Sequence, residues 1–475
     1  MAEEKEFQEG GIPSIRYMGS AVSHFQAEPI MYGPGGEPIV ISDWELELAK
    51  NLRGEKSHVL FPQAGDTLPH FLEHKYEYIN RSALLGENMF RISFDFARLC
   101  PNPGEFNGAL MAQYVRTLAL IRAKGMEPLV ALYHWPMPHY LLTVDKKGGV
   151  TRGGWEHPDV LRHVEFYIRN VAAFLWKKDV VEKAIQSLDL APDIKEKILT
   201  EGLVHFFITI NEPASVLYPA YMLGIFPPFK KWRIDLVPTV LSRLVAAHDI
   251  MYGEIKKSVP AGSPEVLVGI GYSRPDFDGV FEKLLGFISD RIIRAFERSG
   301  IFTDFIGVQY YFRKSIPTVS RRARDYSDNP YFGDIYPEGL GNILRRMHST
   351  YPKKKIFITE FGFSDTKDTR RPYWILESIR VVIKAMEAGV PISGMLHWSL
   401  VDNFEWNLGM EQKFGLFTEQ ELSTPPVRRE NGIRSWEAWE AAIAALRNPS
   451  QTTLAALQSA YEKARTQYKA AGGNL

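Results

Sequence analysis

Two glutamates stand at the ends of short apolar runs rich in β-branched residues. Glu212 ends the run HFFITINE, and Glu360 ends the run KIFITE much later in the chain. Pro213 fixes the chain direction directly after Glu212, and Gly362 permits an abrupt turn after Glu360. Cleavage of an acetal needs one carboxylic acid that gives up a proton and one carboxylate that attacks or activates water. The sequence therefore supplies both groups of an acid–base pair.

Eight runs of this kind occur along the chain, and helical patterns separate most of them. We predict strands over residues 16–25, 89–96, 127–134, 205–212, 265–273, 304–311, 355–362 and 392–399. The helical stretches include residues 109–125 and 372–389, each of which ends in the glycine that stops a helix. Repeated alternation of buried strand and helix predicts an α/β fold, a (β/α)8 TIM barrel.

The alternative fold is an open, doubly wound sheet. That fold is disfavoured because no GxGxxG follows the first strand and no phosphate-binding GxxxxGK[ST] occurs. In a closed barrel the chemistry gathers at the carboxyl ends of the strands. We therefore expect Glu212 and Glu360 to face one another across the mouth of the barrel.

Composition limits the classes of partner. The 475 residues carry 56 basic and 56 acidic side chains, so no global field attracts nucleic acid or an anionic membrane, and a neutral substrate is expected. Cys100 is the single cysteine, which excludes an internal disulfide and cysteine-rich metal clusters. No compact metal-ligand motif such as HExxH occurs, so no metal or other cofactor is expected. The acidic N-terminus and the lack of an 18-residue apolar run predict a cytoplasmic protein.

Residues 13–420 resemble glycoside hydrolase family 1, the retaining β-glycosidases. The resemblance rests on ITINEP at Glu212, on ITEFG at Glu360, and on HWSLVDNFEWNLGM followed by KFGL near the last strand. SHFQAE, FRISFDFAR, LYHWPMP and DFIGVQYY support it in the same order along the chain. The resemblance implies hydrolysis of a β-linked sugar from a small glycoside, without a cofactor or metal.

The same resemblance implies roles for individual residues. Glu212 becomes the general acid/base and Glu360 the nucleophile, with Arg91 beside the nucleophile and Tyr311 hydrogen-bonded to it. The mechanism is then a double displacement through a covalent glycosyl-enzyme. Its geometry requires the two carboxyl groups to lie about 5 to 5.5 Å apart, whereas an inverting enzyme needs about 6.5 to 9.5 Å.

A sugar ring presents hydroxyl groups and an apolar face, so its site needs polar side chains beside flat rings. By resemblance Asn211 holds the 2-hydroxyl and Trp398 lies beneath the ring. The other implied substrate-binding residues are Gln26, His134, Trp135, Gln309, Glu405 and Trp406. Relatives that act on 6-phosphorylated sugars generally lack the acid at Glu405, which would repel a phosphate, so a non-phosphorylated sugar is implied.

Two positions depart from the family pattern near the catalytic residues. Gln309 stands where an asparagine usually precedes the tyrosine pair, and Phe361 replaces the asparagine after the nucleophile. We expect both residues to reshape the pocket.

Two segments fall outside the resemblance. Residues 177–203 form a helical insertion, which we expect near the amino ends of the strands, away from the chemistry. Residues 448–475 form a C-terminal extension with an amphipathic stripe of Leu454, Leu457, Tyr461 and Ala464. This helix docks either on the barrel, formed by residues 1–447, or on another subunit of a homo-oligomer.

Three functions remain open from the sequence. The first is a hydrolase of β-glucosides or an epimer of them. The second is a transglycosylase, in which an acceptor hydroxyl replaces water at the same intermediate. The third is a sugar-binding protein without turnover, motivated only by Gln309 and Phe361. The sequence does not set the sugar epimer or the leaving group.

Overall fold

Eight parallel strands close into a barrel in the computed structural model, which describes residues 12–33, 37–60, 68–146, 149–186, 188–278, 282–297, 303–315 and 335–473. The strands are β1 (Tyr17–Ala21), β2 (Met89–Ser93), β3 (Glu127–Tyr133), β4 (Phe206–Asn211), β5 (Leu267–Ser273), β6 (Phe305–Tyr310), β7 (Lys355–Phe361) and β8 (Ile392–Trp398). Their order around the barrel is β1-β8-β7-β6-β5-β4-β3-β2, with β1 pairing to β2. The predicted (β/α)8 barrel is confirmed.

Each observed strand lies inside a predicted one and is shorter at one or both ends. Most observed strands end before their predicted carboxyl ends, because the polar residues there no longer pair with the neighbouring strand. Glu212, for example, adopts a left-handed backbone with φ of 47° directly after β4. The register places Gly19 opposite Met89 and Ala21 opposite Trp398. The strand ends therefore meet at one face.

Helices connect successive strands on the outside of the barrel. They are α1 (Lys75–Leu84), α2 (Gly108–Ala123), α3 (Val160–Trp176), α4 (Val237–Ser258), α5 (Glu282–Glu297), α6 (Glu338–Thr350) and α7 (Arg371–Glu387). After β8 follow α8 (Ser435–Arg447) and α9 (Gln451–Ala470). Further helices span His24–Ala27, Asp43–Leu52, Phe96–Leu99, Lys178–Ile185, Pro192–Glu201, Pro213–Leu217 and Tyr218–Leu223. Single turns of 3-10 helix span His139–Leu141, Gly154–Glu156, Ile234–Leu236, Trp406–Leu408 and Glu419–Leu422.

Two small sheets lie in the loops after the strands. Thr143–Val144 pairs antiparallel with Val150–Arg152 in the loop after β3. Asp276–Asp278 pairs parallel with Arg313–Ser315, which joins the loops that follow β5 and β6. Both sheets therefore lie on the side of the barrel where the strands end.

Apolar side chains fill the inside of the barrel below its mouth. The cluster comprises Met89, Leu129, Ala131, Phe206, Ile208, Leu267, Phe305, Phe357 and Leu396, with Tyr17 packed against it. Tyr17 meets Phe206 edge to face with ring centroids 5.0 Å apart. This apolar layer fills the barrel below its mouth, and the polar residues that follow the strands lie above it.

The C-terminal helix α9 packs on the barrel's own outer helices α7 and α8. Its buried residues are Leu457, Ala460, Tyr461, Ala464 and Tyr468. The Tyr461 hydroxyl donates to Glu377 Oε2 of α7 at 2.7 Å. Of the two docking surfaces that the sequence left open, the same chain's barrel is the one observed.

The insertion forms two helices, Lys178–Ile185 and Pro192–Glu201, that contact α2. Arg122 Nη2 of α2 lies 2.9 Å from Glu201 Oε2, which ties the insertion to the end of that helix. Within the described residues no helix is both long and apolar enough to cross a membrane. The Cys100 thiol is buried, which raises its pKa to about 12 and keeps it protonated.

Candidate active site

A cleft of about 210 Å³ opens at the carboxyl ends of the barrel strands. Both glutamates singled out in the sequence line it, one after β4 and one on β7. The strands β5 and β6 lie between them on one side of the ring. The cleft therefore brings together two carboxyl groups that are far apart along the chain.

Glu360 is buried and receives hydrogen bonds on both carboxylate oxygens. Oε1 accepts from Arg91 Nη1 and, at 2.8 Å, from Gln309 Nε2. Oε2 accepts from the Tyr311 hydroxyl, and burial raises the pKa of Tyr311 well above its ordinary value, so this donor keeps its proton. Three donors, one of them a guanidinium, stabilise the charged carboxylate and fix its orientation.

Glu212 lies in a different environment. Burial, reinforced by the negative charge of Glu360, raises the pKa of Glu212 to about 8. Hydrogen bonds from Ser215 and Ser273 lower that pKa, and the Ser215 hydroxyl donates to Glu212 Oε2 at 2.6 Å. At neutral pH the Glu212 carboxyl therefore holds a proton that it can donate.

The backbone at Glu212 is held in a strained, left-handed conformation. The residue precedes the helix Pro213–Leu217, and its backbone N–H donates to the Gly271 carbonyl at 2.8 Å. A non-glycine residue there costs on the order of 1 kcal/mol. This strain turns the Glu212 side chain into the cleft instead of along the ladder.

Asn211 connects several of the predicted residues. Its Oδ1 accepts from Arg91 Nη2 and from Gln309 Nε2, both at 2.6 Å, and its Nδ2 donates to His134 Nε2 at 3.0 Å. Burial lowers the pKa of His134 well below its ordinary value, so the ring is neutral. Because Nε2 accepts, the single ring proton lies on Nδ1, which is buried without a protein partner among the described residues.

Glu405 and Gln26 form a second polar group in the cleft. Gln26 Nε2 donates to Glu405 Oε2 at 3.2 Å, while Gln26 Oε1 is buried and lacks a partner in the described part of the chain. Burial, then the charges of Glu360 and Glu212, raise the pKa of Glu405 to about 8. Hydrogen bonds from Gln26 and Trp398 lower it.

Aromatic rings form the walls around these polar groups. The rings of Trp135 and Trp406 lie 4.3 Å apart, and Trp406 also stacks on His134 at 5.7 Å. Trp398 lies 5.9 Å from His134 and is buried. The Trp135 indole N–H donates to the Asn211 carbonyl at 3.0 Å, which fixes the ring against β4.

The structure gathers the residues predicted from the sequence at one place. Those that line the cleft are Gln26, His134, Trp135, Asn211, Glu212, Tyr311, Glu360, Trp398, Glu405 and Trp406. Arg91 and Gln309 lie behind the lining and reach it through Glu360 and Asn211.

Phe361 does not lie at the cleft, so the expectation that it reshapes the pocket is wrong. Its ring stacks on Trp374 of α7 at 5.3 Å and meets His397 edge to face. Successive residues of a strand point to opposite faces, so the neighbour of an inward-pointing Glu360 must point outward into the helix layer.

Sequence reasoning missed several residues of the cleft. Ser215 and Ser273 hydrogen-bond Glu212, and Pro219, Phe226, Phe312, Leu408 and Phe414 form much of the outer wall. Ser273 is the last residue of β5, and inspection of every strand end would have found it. Ser215 lies three residues after Glu212 in a helix, a spacing that brings side chains together. Leu408 and Phe414 belong to the motifs quoted near the last strand, whereas Pro219, Phe226 and Phe312 lie in segments after the strands and carry no such signal.

Comparisons with known proteins bear on the family and the fold. The model of "Glycosyl hydrolase family 1" matches residues 14–180 and 302–433. The chain belongs to this family. As a member of glycosyl hydrolase family 1, it is a retaining β-glycosidase, a hydrolase of O-glycosyl bonds. The matched segments contain Arg91, Tyr311 and Glu360 but leave out β4 and Glu212.

Individual members of the family are distant from this chain. A β-galactosidase of Sulfolobus acidocaldarius is 24% identical over 473 residues, covering 84% of this chain and 89% of that protein. β-Glucosidase A of Thermotoga maritima is 24% identical over 387 residues, covering 70% and 78%. The crystal structure of a hyperthermophilic β-glucosidase from Pyrococcus furiosus superposes with a TM-score of 0.73 at 24% identity, covering 94% and 98%.

Proposed function

We propose that Glu212 is the general acid/base and Glu360 the nucleophile of this glycosidase. In the first step a Glu360 oxygen attacks the anomeric carbon, and the bond from that carbon to the leaving oxygen breaks. Glu212 gives its proton to the leaving oxygen, so the alcohol departs neutral and the sugar is esterified to Glu360.

In the second step Glu212 acts as a base. In the free protein the negative charge of Glu360 raises the pKa of Glu212. Esterification removes that charge, so the pKa of Glu212 falls in the intermediate. Glu212 therefore holds a proton less firmly in the intermediate and accepts one from water. The water oxygen replaces Glu360 at the anomeric carbon, and the sugar leaves with its original configuration.

The observation that carries the proposal is the contrast between the two carboxyl groups. Glu360 accepts from Arg91, Gln309 and Tyr311, whereas Glu212 is buried beside a negative charge and has a pKa of about 8. A buried carboxyl group with a raised pKa, beside a carboxylate that accepts three hydrogen bonds, is the arrangement expected of a general acid and a nucleophile. A separation of about 5 to 5.5 Å between the carboxyl groups stays a prediction of this mechanism.

The sugar of the substrate is, in this proposal, neutral and unphosphorylated. An anionic sugar would lie beside the Glu360 carboxylate, and it would repel the charged form of Glu405 in the same cleft. The buried acceptor Gln26 Oε1 and donor His134 Nδ1 lack protein partners among the described residues, which supports hydrogen bonds to sugar hydroxyls. Trp398 and Trp406 supply the flat apolar surface that a sugar ring requires.

The leaving group is, in this proposal, an aryl or alkyl alcohol. Pro219, Phe226, Phe312 and Leu408 line the outer part of the cleft and offer mainly apolar contacts. A second sugar unit would leave hydroxyl groups without partners there. We expect octyl β-glucoside to have a kcat/KM about tenfold above that of cellobiose, measured by glucose release under identical conditions.

The test of the catalytic assignment is hydrolysis of aryl β-glycosides by the wild type and two variants. Glu360→Gln should lower kcat by at least about 10⁴-fold, because the amide is not a nucleophile. Glu212→Gln should spare substrates with activated leaving groups, such as 2,4-dinitrophenol, in the first step. A 2-fluoro glycoside should label the wild type at Glu360. Wild-type rates in Glu360→Gln, or a label on another residue, would contradict the assignment.

A further inference from the structure

Gln309 lies behind the cleft and contacts both Glu360 and Asn211. It is on β6, its side chain is fully buried, and its Nε2 donates to Glu360 Oε1 at 2.8 Å and to Asn211 Oδ1 at 2.6 Å. A single side-chain amide therefore connects the ends of β4 and β7. The family pattern has the shorter asparagine at this position.

The orientation of the Gln309 amide follows from its neighbours. Arg91 donates to Glu360 Oε1 and also to Asn211 Oδ1, so both atoms that face Gln309 are acceptors. The NH₂ group must therefore face them, because a carbonyl oxygen there would be repelled by both. Each hydrogen of the NH₂ group has one partner.

The other end of the same amide is unfavourable. Gln309 Oε1 is buried and has no hydrogen-bond partner in the part of the chain that the structure describes. An unpaired buried acceptor costs about 1 to 3 kcal/mol, whereas methionine would fill a similar volume without that cost. A packing role alone therefore does not explain a glutamine here. Glutamine differs from methionine in the two hydrogen bonds that it donates.

Gly271 on β5 provides the space for the longer side chain. A Cβ atom at this position would lie 2.7 Å from Gln309 Nε2 and 3.2 Å from Asn211 Oδ1. The first distance is too short for a real contact, so any side chain at 271 would displace the amide. Gly271 and Gln309 are thus matched in size.

We propose that Gln309 is a positioning residue, which holds the nucleophile Glu360 and the sugar-binding Asn211 in register through one amide, in the space left by Gly271. The proposal rests on the proposed function, since it takes Glu360 as the nucleophile. Without Gln309 the Glu360 carboxylate keeps Tyr311 and keeps Arg91, which also donates to Asn211, but it loses one of its two links to Asn211 and the donor on the β6 side. A nucleophile misplaced by about 1 Å loses about 100-fold in rate.

The first experiment compares Gln309→Met with Tyr310→Phe on an aryl β-glycoside with a poor leaving group. Gln309→Met keeps the chain length and removes the donors, so we expect kcat to fall about 10- to 100-fold with KM within about threefold of the wild type. Tyr310→Phe removes one hydrogen bond, to the Tyr336 carbonyl, from the same strand. It should lower the melting temperature without lowering kcat.

The second experiment is a double-mutant cycle between positions 271 and 309. Gly271→Ala should displace the amide, and Gln309→Asn should fall short of Glu360, so each should lower kcat by about tenfold or more. The double variant pairs a shorter amide with a methyl group in the vacated space. If the two losses were independent, the fold losses in kcat of the single variants would multiply. The kcat of the double variant should be at least about tenfold higher than that product predicts.

The results that overturn the proposal are distinct from those that overturn the catalytic assignment. A kcat of Gln309→Met within twofold of the wild type, or a rise in KM with unchanged kcat, would make Gln309 a packing or sugar-binding residue. If the fold losses of Gly271→Ala and Gln309→Asn simply multiply in the double variant, Gly271 and Gln309 are not matched in size. The cycle does not use Gln309→Met, so it tests the pair even where that variant does not fold. Turnover by Glu360→Gln would instead contradict the proposed function.

Discussion

At the scale of the residue, the surroundings of each carboxyl group decide its chemistry. The pKa of Glu212 is raised to about 8 by burial and by Glu360. Above that pH the carboxyl loses the proton that the leaving oxygen needs, so kcat/KM should fall about tenfold per pH unit. We expect this basic limb near pH 8 for a phenyl β-glycoside, measured from pH 5 to pH 10. A limb below pH 6 would contradict the protonated state of Glu212.

Ser215 offers a direct test of that environment. Its hydroxyl donates to Glu212 Oε2 and lowers the pKa of Glu212. Removing a donor to a carboxylate disfavours the charged form, so Ser215→Ala should raise this pKa and move the basic limb upward by about half to one pH unit. Ser349→Ala, at an exposed position of α6, is the matched control and should leave the limb in place. A downward shift in Ser215→Ala would contradict the hydrogen bond.

At the scale of the element, the strands were predictable and their side-chain contacts were not. Local runs of β-branched residues mark β4 and β7, and the residues after them mark the catalytic pair. The bond from Gln309 to Glu360 joins two strands that are far apart in sequence, and no local pattern reports it. The resemblance places Gln309 among the sugar-binding residues, whereas in the structure it lies behind the cleft and its Nε2 donates to Glu360 and Asn211 of the lining.

The docking of helix α9 was undecided for a similar reason. An amphipathic stripe states that one face is buried but not what buries it. The structure supplies the contact, since Tyr461 donates to Glu377 of α7 and Gln467 Nε2 donates to the Thr369 carbonyl at 3.0 Å. To place α9, one must know the position of α7 and the partner of Tyr461, and neither can be read from the sequence.

Helix α9 should contribute to stability without affecting catalysis. Leu457 is completely buried against the barrel helices. Leu457→Ala should lower the free energy of unfolding by about 2 to 5 kcal/mol, because the cavity remains after the methyl groups are removed. Ser459→Ala, on the exposed face of the same helix, should change it by less than about 0.5 kcal/mol. Denaturant unfolding gives the free energy of unfolding of each variant, and kcat at 25 °C should equal that of the wild type. A Leu457→Ala variant as stable as the wild type would contradict the docking of α9.

At the scale of the whole molecule, a chain without net charge places three carboxyl groups in one cleft. Basic and acidic residues balance over the sequence, yet three glutamates line one cavity. The net charge therefore says little about the substrate, whereas the cleft disfavours anionic sugars. The apolar stripe of α9 is buried against the barrel of the same chain, so it does not supply a surface for a second subunit. A homo-oligomer therefore stays a prediction.

The carboxyl groups of the cleft should also make the molecule less stable as the pH rises. A raised pKa in the folded state means that Glu212 must keep its proton there while the unfolded chain ionises freely above about pH 4.5. Stability is thus unaffected below pH 4.5 and is lost progressively up to about pH 8. Glu212→Gln does not titrate, so its free energy of unfolding should exceed that of the wild type by about 4 kcal/mol at pH 8 and by about 1 kcal/mol at pH 5. Denaturant unfolding at the two pH values measures this difference, and an equal difference at both would show that the burial of Glu212 is not coupled to its protonation.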